Sequence, residues 1–320
     1  MKKEPYNTTH IQEIDLLKAV LMLLVVAFHL VWFEHLHPYA KQVVYTFHMP
    51  GFLIISGYLM KIARPWAQFL RTILWFAVPY LVMESGYIVM ASVLPINEHI
   101  DQLTLSVFLD KLLLHPIGLY WYLQTLIVCG LTYYLVFRYV PLKTVSRFIL
   151  LGLICFCYTY FLGILSLSAT LYFLAGAVIR QSGLHFLNLF HSSAIAVVAF
   201  VLLAAFPQNL DQATVGGVFI VYFALSMILW GSQYIHGWFR QLLLLIGRNT
   251  MLLFLFSPIF TILCKQLVPY LQFDPTGLVF LVVSLIICTA GCLAIGWLMD
   301  ICRITPWFLG KNQSISSSAS

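Results

Sequence analysis

Three polar residues of the first apolar segment have the spacing of a ligand-binding and reaction site. Lys18 and His29 are eleven residues apart, which is about three turns of an α-helix, so their side chains share one face. They lie roughly 16 Å apart along the helix axis, and Asp15 lies on the same face about one turn before Lys18. This spacing suits a long ligand with an anionic head at Lys18 and a reactive end at His29, whose imidazole can serve as a general base.

Each of these residues also has a structural interpretation. Lys18 can extend its stem to the membrane boundary and pair with Asp15 at i, i+3. His29 can be a hydrogen-bonded packing histidine. Titratable groups inside an apolar segment are nevertheless functional candidates by default, so the sequence leaves both roles open for Lys18 and favours a functional role for His29.

The second apolar segment carries a further histidine. The first segment ends and the second begins on the same side of the membrane, so we expect His48 at a depth similar to that of His29. Pro50 and Gly51 follow it and predict a loosened backbone, which membrane proteins tolerate where it lines a cavity. An ordinary interfacial role for His48 is the alternative. Ser56 and Tyr58 lie farther along the same segment.

Charged candidates also occur on later segments. Glu84 lies in the middle of the third apolar run and needs a partner, for which a buried pair with a cation from another helix is the simplest structural interpretation. Arg248 stands near the cytoplasmic end of the ninth run, and together with Arg64 and Arg71 it can bind phosphate. The tendency of cytoplasmic loops to carry positive charge also accounts for all three, and it is sufficient for Arg64 and Arg71.

The elements that must position these residues are membrane helices. The 320 residues are 62% hydrophobic and 9% charged, with a mean hydropathy of +0.94, whereas soluble domains carry about 25% charged residues. A water-soluble protein is therefore excluded. The formal charge of +6 forms no block that would bind nucleic acid, and the seven cysteines lack partners at zinc spacing, so no metal is predicted.

The fold class predicted is all-α, a polytopic helical bundle in the membrane. A membrane span needs about 20 largely apolar residues, and ten such runs occur, at 16–33, 43–60, 72–94, 118–137, 147–163, 166–180, 192–208, 213–231, 241–263 and 277–299. The pair around Gly163 is the shortest. We expect one domain over 1–312 and a flexible polar tail over 313–320, while the connection 94–117 is either an outer cap or an ordinary surface loop.

The positive charges predict the orientation of these runs. With the N-terminus inside, twelve of the 17 Lys and Arg residues, Lys2 and Lys3 among them, face the cytoplasm and three face the outer side. Lys18 and Arg248 lie within spans. Both termini are therefore predicted to be cytoplasmic.

These motifs resemble those of acyltransferase family 3, the integral membrane acyltransferases that include fucose 4-O-acetylase-like sugar O-acetyltransferases. The resemblance extends over nearly the whole chain. It is carried by Ile14-Asp15-Leu16-Leu17-Lys18 with His29, Phe47-His48-Met49-Pro50-Gly51-Phe52, Ser56-Gly57-Tyr58, Trp121-Tyr122-Leu123, Tyr172-Phe173-Leu174-Ala175-Gly176 and Ile246-Gly247-Arg248-Asn249.

The resemblance implies transfer of acetyl from cytoplasmic acetyl-CoA, a co-substrate, to a hydroxyl of an envelope polysaccharide or its lipid-linked sugar precursor at a bacterial inner membrane. The opening motif of the family, Arg followed after ten residues by His, corresponds to Lys18 and His29. Lysine keeps the charge of arginine but not its planar fork.

Joined to the spacing, the resemblance implies specific roles. The nucleotide end of acetyl-CoA would bind near Lys18, Arg71 and Arg248, and His29 would act as general base or form an acyl-histidine intermediate. His48 and Tyr58 would orient groups or stabilise an oxyanion. Structural or site-orienting roles fall to Asp15, Ser56, Glu84 and Trp121.

Two other classes of function compete with acyl transfer. Ten helices with polar groups and proline breaks can also form the path of an exporter or flippase of glycans or lipid-linked sugars. The absence of a repeated half and the few intramembrane charges in the sequence argue against transport. A receptor or structural membrane protein leaves Lys18, His29, Glu84 and Arg248 without a role.

Overall fold

A computed structural model describes residues 12–94 and 98–316, and within these ranges the chain is helical without β-strands. Lys2 and Lys3, which contribute to the predicted orientation, lie outside the described residues, as do 95–97 and 317–320. The helices are α1 (Gln12–Ala27), α2 (Val31–Leu36), α3 (Pro38–Leu59), α4 (Trp66–Val93), α5 (Leu105–Leu113), α6 (Trp121–Tyr139), α7 (Thr144–Tyr160), α8 (Leu167–Gln181), α9 (Phe186–Leu189), α10 (Ala194–Ala204), α11 (Val215–Ser232), α12 (Gly237–Arg248), α13 (Thr250–Cys264), α14 (Val268–Leu271), α15 (Leu278–Ile301) and α16 (Thr305–Phe308).

Each predicted apolar run coincides with one or two of these helices. Within the described residues, four stretches are long and apolar enough to cross a membrane by themselves: Trp66–Val93, Val215–Ser232, Thr250–Leu271 and Leu278–Ile301. The all-helical membrane class is therefore confirmed, while the number of spans, about ten, and the side of the termini stay predictions. The pair around Gly163 forms two separate helices, α7 and α8.

The helix breaks differ from those expected. The first run is interrupted between α1 and α2, and the ninth is interrupted at Asn249 between α12 and α13. The break expected at Pro50 is absent, because α3 continues through it to Leu59. The interruptions thus occur where side chains replace backbone hydrogen bonds rather than where proline stands.

The chain forms two compact units that alternate along the sequence. The first contains residues 12–48, 190–299 and 313–316, with α1 at its centre against α11, α12 and α13. The buried residues of α1 are apolar except for Asp15, with Leu17, Leu21 and Val25 among them, and burial of each such apolar side chain is worth about 1.5–3 kcal/mol. A single domain over 1–312 stays a prediction.

The second unit contains residues 49–189 and 300–312. Its helices α3 and α8 approach so closely that a Cβ atom on Gly176 would lie 2.0 Å from the backbone oxygen of Ile54. Only glycine permits that separation, which is far shorter than an ordinary van der Waals contact. The connection 94–117 contains α5 with Thr104 as its N-cap, and both interpretations of it, outer cap and ordinary surface loop, stay open.

Ser314 and Ser316, in the described part of the tail predicted to be flexible over 313–320, make hydrogen bonds to other segments, and the flexibility of the tail as a whole stays a prediction. The Ser314 hydroxyl, which is buried, donates a 2.7 Å hydrogen bond to the backbone oxygen of Gly296. The Ser316 N–H donates to Asn249 Oδ1 at 2.9 Å. Residues up to Ser316 are therefore held against α13 and α15, because Asn249 and the Gly296 carbonyl supply partners that a polar composition alone does not reveal.

Candidate active site

A cluster of three charged residues lies where α1 meets α12 in the first unit. Asp15 Oδ1 is 2.7 Å from Lys18 Nζ, the ion pair that their i, i+3 spacing predicts. Asp15 Oδ2 is 3.7 Å from Arg248 Nε. The exposed fractions are 4% for the Asp15 side chain, 8% for Arg248 and 19% for Lys18. One carboxylate thus faces two cations, and the net positive charge is most accessible at Lys18.

The approach of α12 to α1 depends on the residue before Arg248. A Cβ atom on Gly247 would lie 1.9 Å from the backbone oxygen of Asp15, so the two helix backbones are in direct contact. Arg248 is the last residue of α12, at the negative end of the helix dipole, which stabilises a cation. Its Nε is buried and makes no hydrogen bond to any described residue.

Asn249 separates the helix that carries Arg248 from α13. Its side-chain Nδ2 donates to the backbone oxygen of Leu245 at 2.8 Å and to that of Ser316 at 3.3 Å. Side-chain amides that compete for helical carbonyls in this way favour helix ends. The asparagine therefore ends α12 directly after Arg248, and the chain end around Ser316 completes that turn.

His29 lies in the turn between α1 and α2 and is partly exposed. Its Nδ1 is 2.6 Å from the backbone oxygen of Val25, and a carbonyl can only accept, so Nδ1 carries the proton. In the neutral ring Nε2 is then the atom with a free lone pair. The backbone N–H of His29 bonds to Val26 instead of Val25, so the side chain replaces a helical hydrogen bond where α1 ends.

His48 repeats this arrangement on α3. Its Nδ1 donates to the backbone oxygen of Val44 at 2.7 Å, and the side chain is buried. Tyr45 lies between the two imidazoles, with ring centroids 6.1 Å from His29 and 5.1 Å from His48. The expectation that both histidines lie in one neighbourhood is therefore met, through a tyrosine that the sequence analysis did not single out. Its i, i+3 spacing to His48 was the available signal.

A buried acid next to this tyrosine was also missed. Glu34 is 6% exposed, and its Oε2 is 3.0 Å from Lys41 Nζ. The Lys41 ammonium lies 5.3 Å from the centroid of the Tyr45 ring. Glu34 and Lys41 are on α2 and α3, and only the turn at His37 brings them together, so their linear spacing gave no signal.

Tyr58 makes packing contacts in the second unit, and its predicted catalytic role stays a prediction. Tyr58 is ten residues beyond His48 on α3, about 15 Å of helical rise. Its hydroxyl accepts a hydrogen bond from the Phe186 N–H at 3.4 Å, and the Arg180 guanidinium lies 5.8 Å from its ring centroid. Tyr58 is buried among these partners in the second unit.

Ser56 and Trp121 are placed around the start of α6. The Ser56 hydroxyl is 2.7 Å from that of Tyr122. Trp121 is the first residue of α6 and makes an edge contact with the Tyr122 ring at 6.5 Å. Both residues thus contact Tyr122 of α6 in the second unit, and their structural or site-orienting roles stay predictions.

The structural interpretation expected Glu84 to pair with a cation, but no such ion pair occurs among residues 12–94 and 98–316. Glu84 is fully buried, and its Oε1 accepts a 2.7 Å hydrogen bond from the Ile117 N–H. Its Oε2 makes no hydrogen bond within the described part of the chain. Gln124 donates to the Leu113 backbone oxygen at 2.9 Å. Two polar side chains therefore hold the end of the connection 94–117 through its backbone.

Arg71 lies in the second unit and lines a cleft of about 590 Å³. The residues around this cleft are Arg64, Ala67, Gln68, Arg71, Thr72, Trp75 and Gly310. Arg64 Nη1 donates to the Thr72 hydroxyl at 3.1 Å. Two guanidinium groups therefore face one open concavity, which is a suitable environment for a phosphate group.

Comparisons with known proteins identify one related domain. A family model described as an acyltransferase domain matches residues 11–297, a range that includes both histidines and the three-residue charge cluster. No curated protein and no solved structure matches this chain significantly.

Proposed function

Because the chain belongs to acyltransferase family 3, whose domain covers residues 11–297, we propose that it moves acetyl from cytoplasmic acetyl-CoA to a carbohydrate hydroxyl. Membrane helices and an acyltransferase class follow from the fold and the family. One observation carries the rest of the proposal. His29 is partly exposed and donates through Nδ1 to the Val25 carbonyl, which leaves Nε2 as a proton acceptor.

The reaction uses His29 as general base. Nε2 takes the proton of the acceptor hydroxyl while the hydroxyl oxygen attacks the thioester carbonyl carbon, and an oxyanion forms on the carbonyl oxygen. When this intermediate collapses, the C–S bond breaks, the acetyl ester is released, and the CoA sulfur takes the proton from the imidazolium. In the alternative route Nε2 attacks the thioester first and passes the acetyl group on from an acyl-histidine. Both routes require the same free nitrogen.

The charge cluster on α1 provides the anchor for the donor. Lys18 and Arg248 share the Asp15 carboxylate, so one positive charge is left for an anionic ligand. The eleven-residue spacing predicts a separation of roughly 16 Å between Lys18 and His29, which lies in the turn just beyond the end of α1. The pantetheine arm would lie along that distance. Arg71 lines the cleft of the second unit, and its predicted contact with a nucleotide phosphate stays a prediction.

The surroundings of the reaction follow from the same proposal. About ten spans with both termini in the cytoplasm place Lys18 at the cytoplasmic side and His29 towards the outer side. The acceptor is then an envelope polysaccharide or its lipid-linked precursor at a bacterial inner membrane. The motifs support the fucose 4-O-acetylase-like group of the family.

The test compares cells that lack the gene with cells complemented by variants. Surface polysaccharide and lipid-linked glycans are extracted, and their O-acetyl signals are measured by NMR, with immunoblots of membranes to confirm equal amounts of protein. Wild type and His35→Gln should restore the signals, and His29→Gln should not. His35 is the matched control because its side chain is 72% exposed on α2.

Two results would overturn the proposal in different ways. O-acetyl signals that survive deletion of the gene contradict transfer to an envelope glycan. Signals restored in full by His29→Gln contradict the assignment of the base. In cells that lack the gene, a glycan that stays acetylated but accumulates on the inner side of the membrane would support the transport alternative.

A further inference from the structure

Tyr45 makes a set of contacts that the proposed reaction does not use. Its hydroxyl donates a 3.0 Å hydrogen bond to the backbone oxygen of Phe28, the residue before His29. Its ring stacks near the His29 ring at an interplanar angle of 26° and contacts the His48 ring at 43°. One residue of α3 therefore touches the peptide that carries the proposed base, the base itself and the second histidine.

The hydrogen bond to Phe28 satisfies a backbone carbonyl just beyond the end of α1. The last carbonyl groups of an α-helix have no N–H partner within the helix, and α1 ends at Ala27. The Val25 carbonyl accepts a hydrogen bond from the His29 side chain, and the Phe28 carbonyl accepts one from the Tyr45 hydroxyl. The peptide between Phe28 and His29 is thus tied to α3 through a single hydroxyl group.

The ring of Tyr45 is itself held in place. The Lys41 ammonium lies 5.3 Å from the ring centroid, a distance at which a cation is attracted to the aromatic face. Glu34, buried on α2, fixes that ammonium at 3.0 Å. Movement of Tyr45 would therefore disturb an ion pair as well as the contacts with the imidazoles.

We propose that Tyr45 is a positioning residue for His29. It holds the imidazole of His29 where Nε2 meets the acceptor hydroxyl. The proposal rests on the proposed function, in which His29 is the base. Tyr45 acts through the Phe28 carbonyl and through contact of its ring with the imidazole ring. Displacement of a reacting group by about 1 Å can lower the rate about a hundredfold, so loss of one hydroxyl has a large expected effect.

The experiment compares Tyr45→Phe with Tyr39→Phe in purified full-length protein. Tyr39 is a matched control because it lies on the same helix and its hydroxyl also donates to a backbone oxygen, that of Ala204. With acetyl-CoA and extracted envelope glycan, Tyr45→Phe should lower kcat about ten- to a hundredfold and leave KM for acetyl-CoA unchanged. Tyr39→Phe should leave both constants near those of wild type.

A second measurement does not depend on turnover. Diethyl pyrocarbonate modifies accessible imidazole nitrogens, and mass spectrometry of the peptide that contains His29 gives the labelling rate in the resting protein, with His29→Gln as background. Release of the Phe28 peptide frees the ring, so we expect faster labelling of His29 in Tyr45→Phe and an unchanged rate in Tyr39→Phe.

The outcomes separate this proposal from the function on which it rests. Equal kcat values for the two tyrosine variants overturn the positioning role. A lower kcat for Tyr45→Phe without a change in His29 labelling also overturns it, because the tyrosine would then act on the reaction directly. Full activity of His29→Gln overturns the assigned base, and the labelling rates still report whether Tyr45 holds the ring.

Discussion

A Cβ atom on Gly247 would lie 1.9 Å from the backbone oxygen of Asp15, so α1 and α12 are in backbone contact beside the charge cluster. Asp15 is the residue that both Lys18 and Arg248 face. The absence of a side chain at position 247 is therefore what allows the adjacent arginine to reach the carboxylate.

Substitution Gly247→Ala should separate the two helices and weaken the donor site. Overpacking of this kind costs about 1–3 kcal/mol of stability, and KM for acetyl-CoA should rise because Arg248 moves away from Asp15. Gly176→Ala is the control, since its Cβ would lie 2.0 Å from a backbone oxygen in the second unit. It should cost similar stability in thermal unfolding without the same rise in KM. Equal KM values in the two variants would contradict the prediction.

Substitution Asp15→Asn should destabilise the protein more than loss of a surface ion pair would. It leaves the buried Arg248 and the half-buried Lys18 without their shared counter-charge, and breaking a buried pair costs about 3–5 kcal/mol. The double variant Asp15→Asn with Arg248→Met should lose less than the sum of the single losses, with a coupling of about 0.5–3 kcal/mol. Strictly additive losses in denaturant unfolding would show that the two side chains do not interact.

Glu84 should stabilise the connection 94–117 as a hydrogen-bond acceptor and not as a charge. Glu84→Gln retains a carbonyl oxygen for the Ile117 N–H and should keep near wild-type stability. Glu84→Leu leaves that N–H buried without a partner and should cost about 1–3 kcal/mol. Thermal unfolding of both variants measures the difference. If Gln is as damaging as Leu, the carboxylate charge itself is required.

Removal of the chain end should loosen the helix break beside Arg248. Truncation after Gln313 removes the hydrogen bonds from Ser314 to Gly296 and from Ser316 to Asn249, each worth about 0.5–1.5 kcal/mol. Truncation after Ser316 keeps both and serves as the control. The shorter protein should unfold at a lower temperature, and identical melting curves would show that these contacts contribute no stability.

The sequence alone was sufficient for the class of the protein and for the interactions within single helices. Long apolar runs must form helices in a bilayer because each backbone N–H and C=O group needs a partner within the segment. The pair of Asp15 and Lys18 follows from helical periodicity in the same way. His29 is a candidate from the sequence because a titratable group in such a run is energetically costly and is therefore a functional candidate by default.

Tertiary structure decided which residues from different helices meet at the candidate base and at the charge cluster. Tyr45 meets His29 across a turn, Glu34 meets Lys41 between two helices, and Arg248 meets Asp15 over more than two hundred positions of sequence. The hydroxyl of Tyr58, by contrast, bonds to Phe186. The spacing of residues along one helix follows from its fixed rise and rotation, whereas contacts between helices depend on how closely their backbones pack. At Gly247 that distance is set by a side chain that is missing.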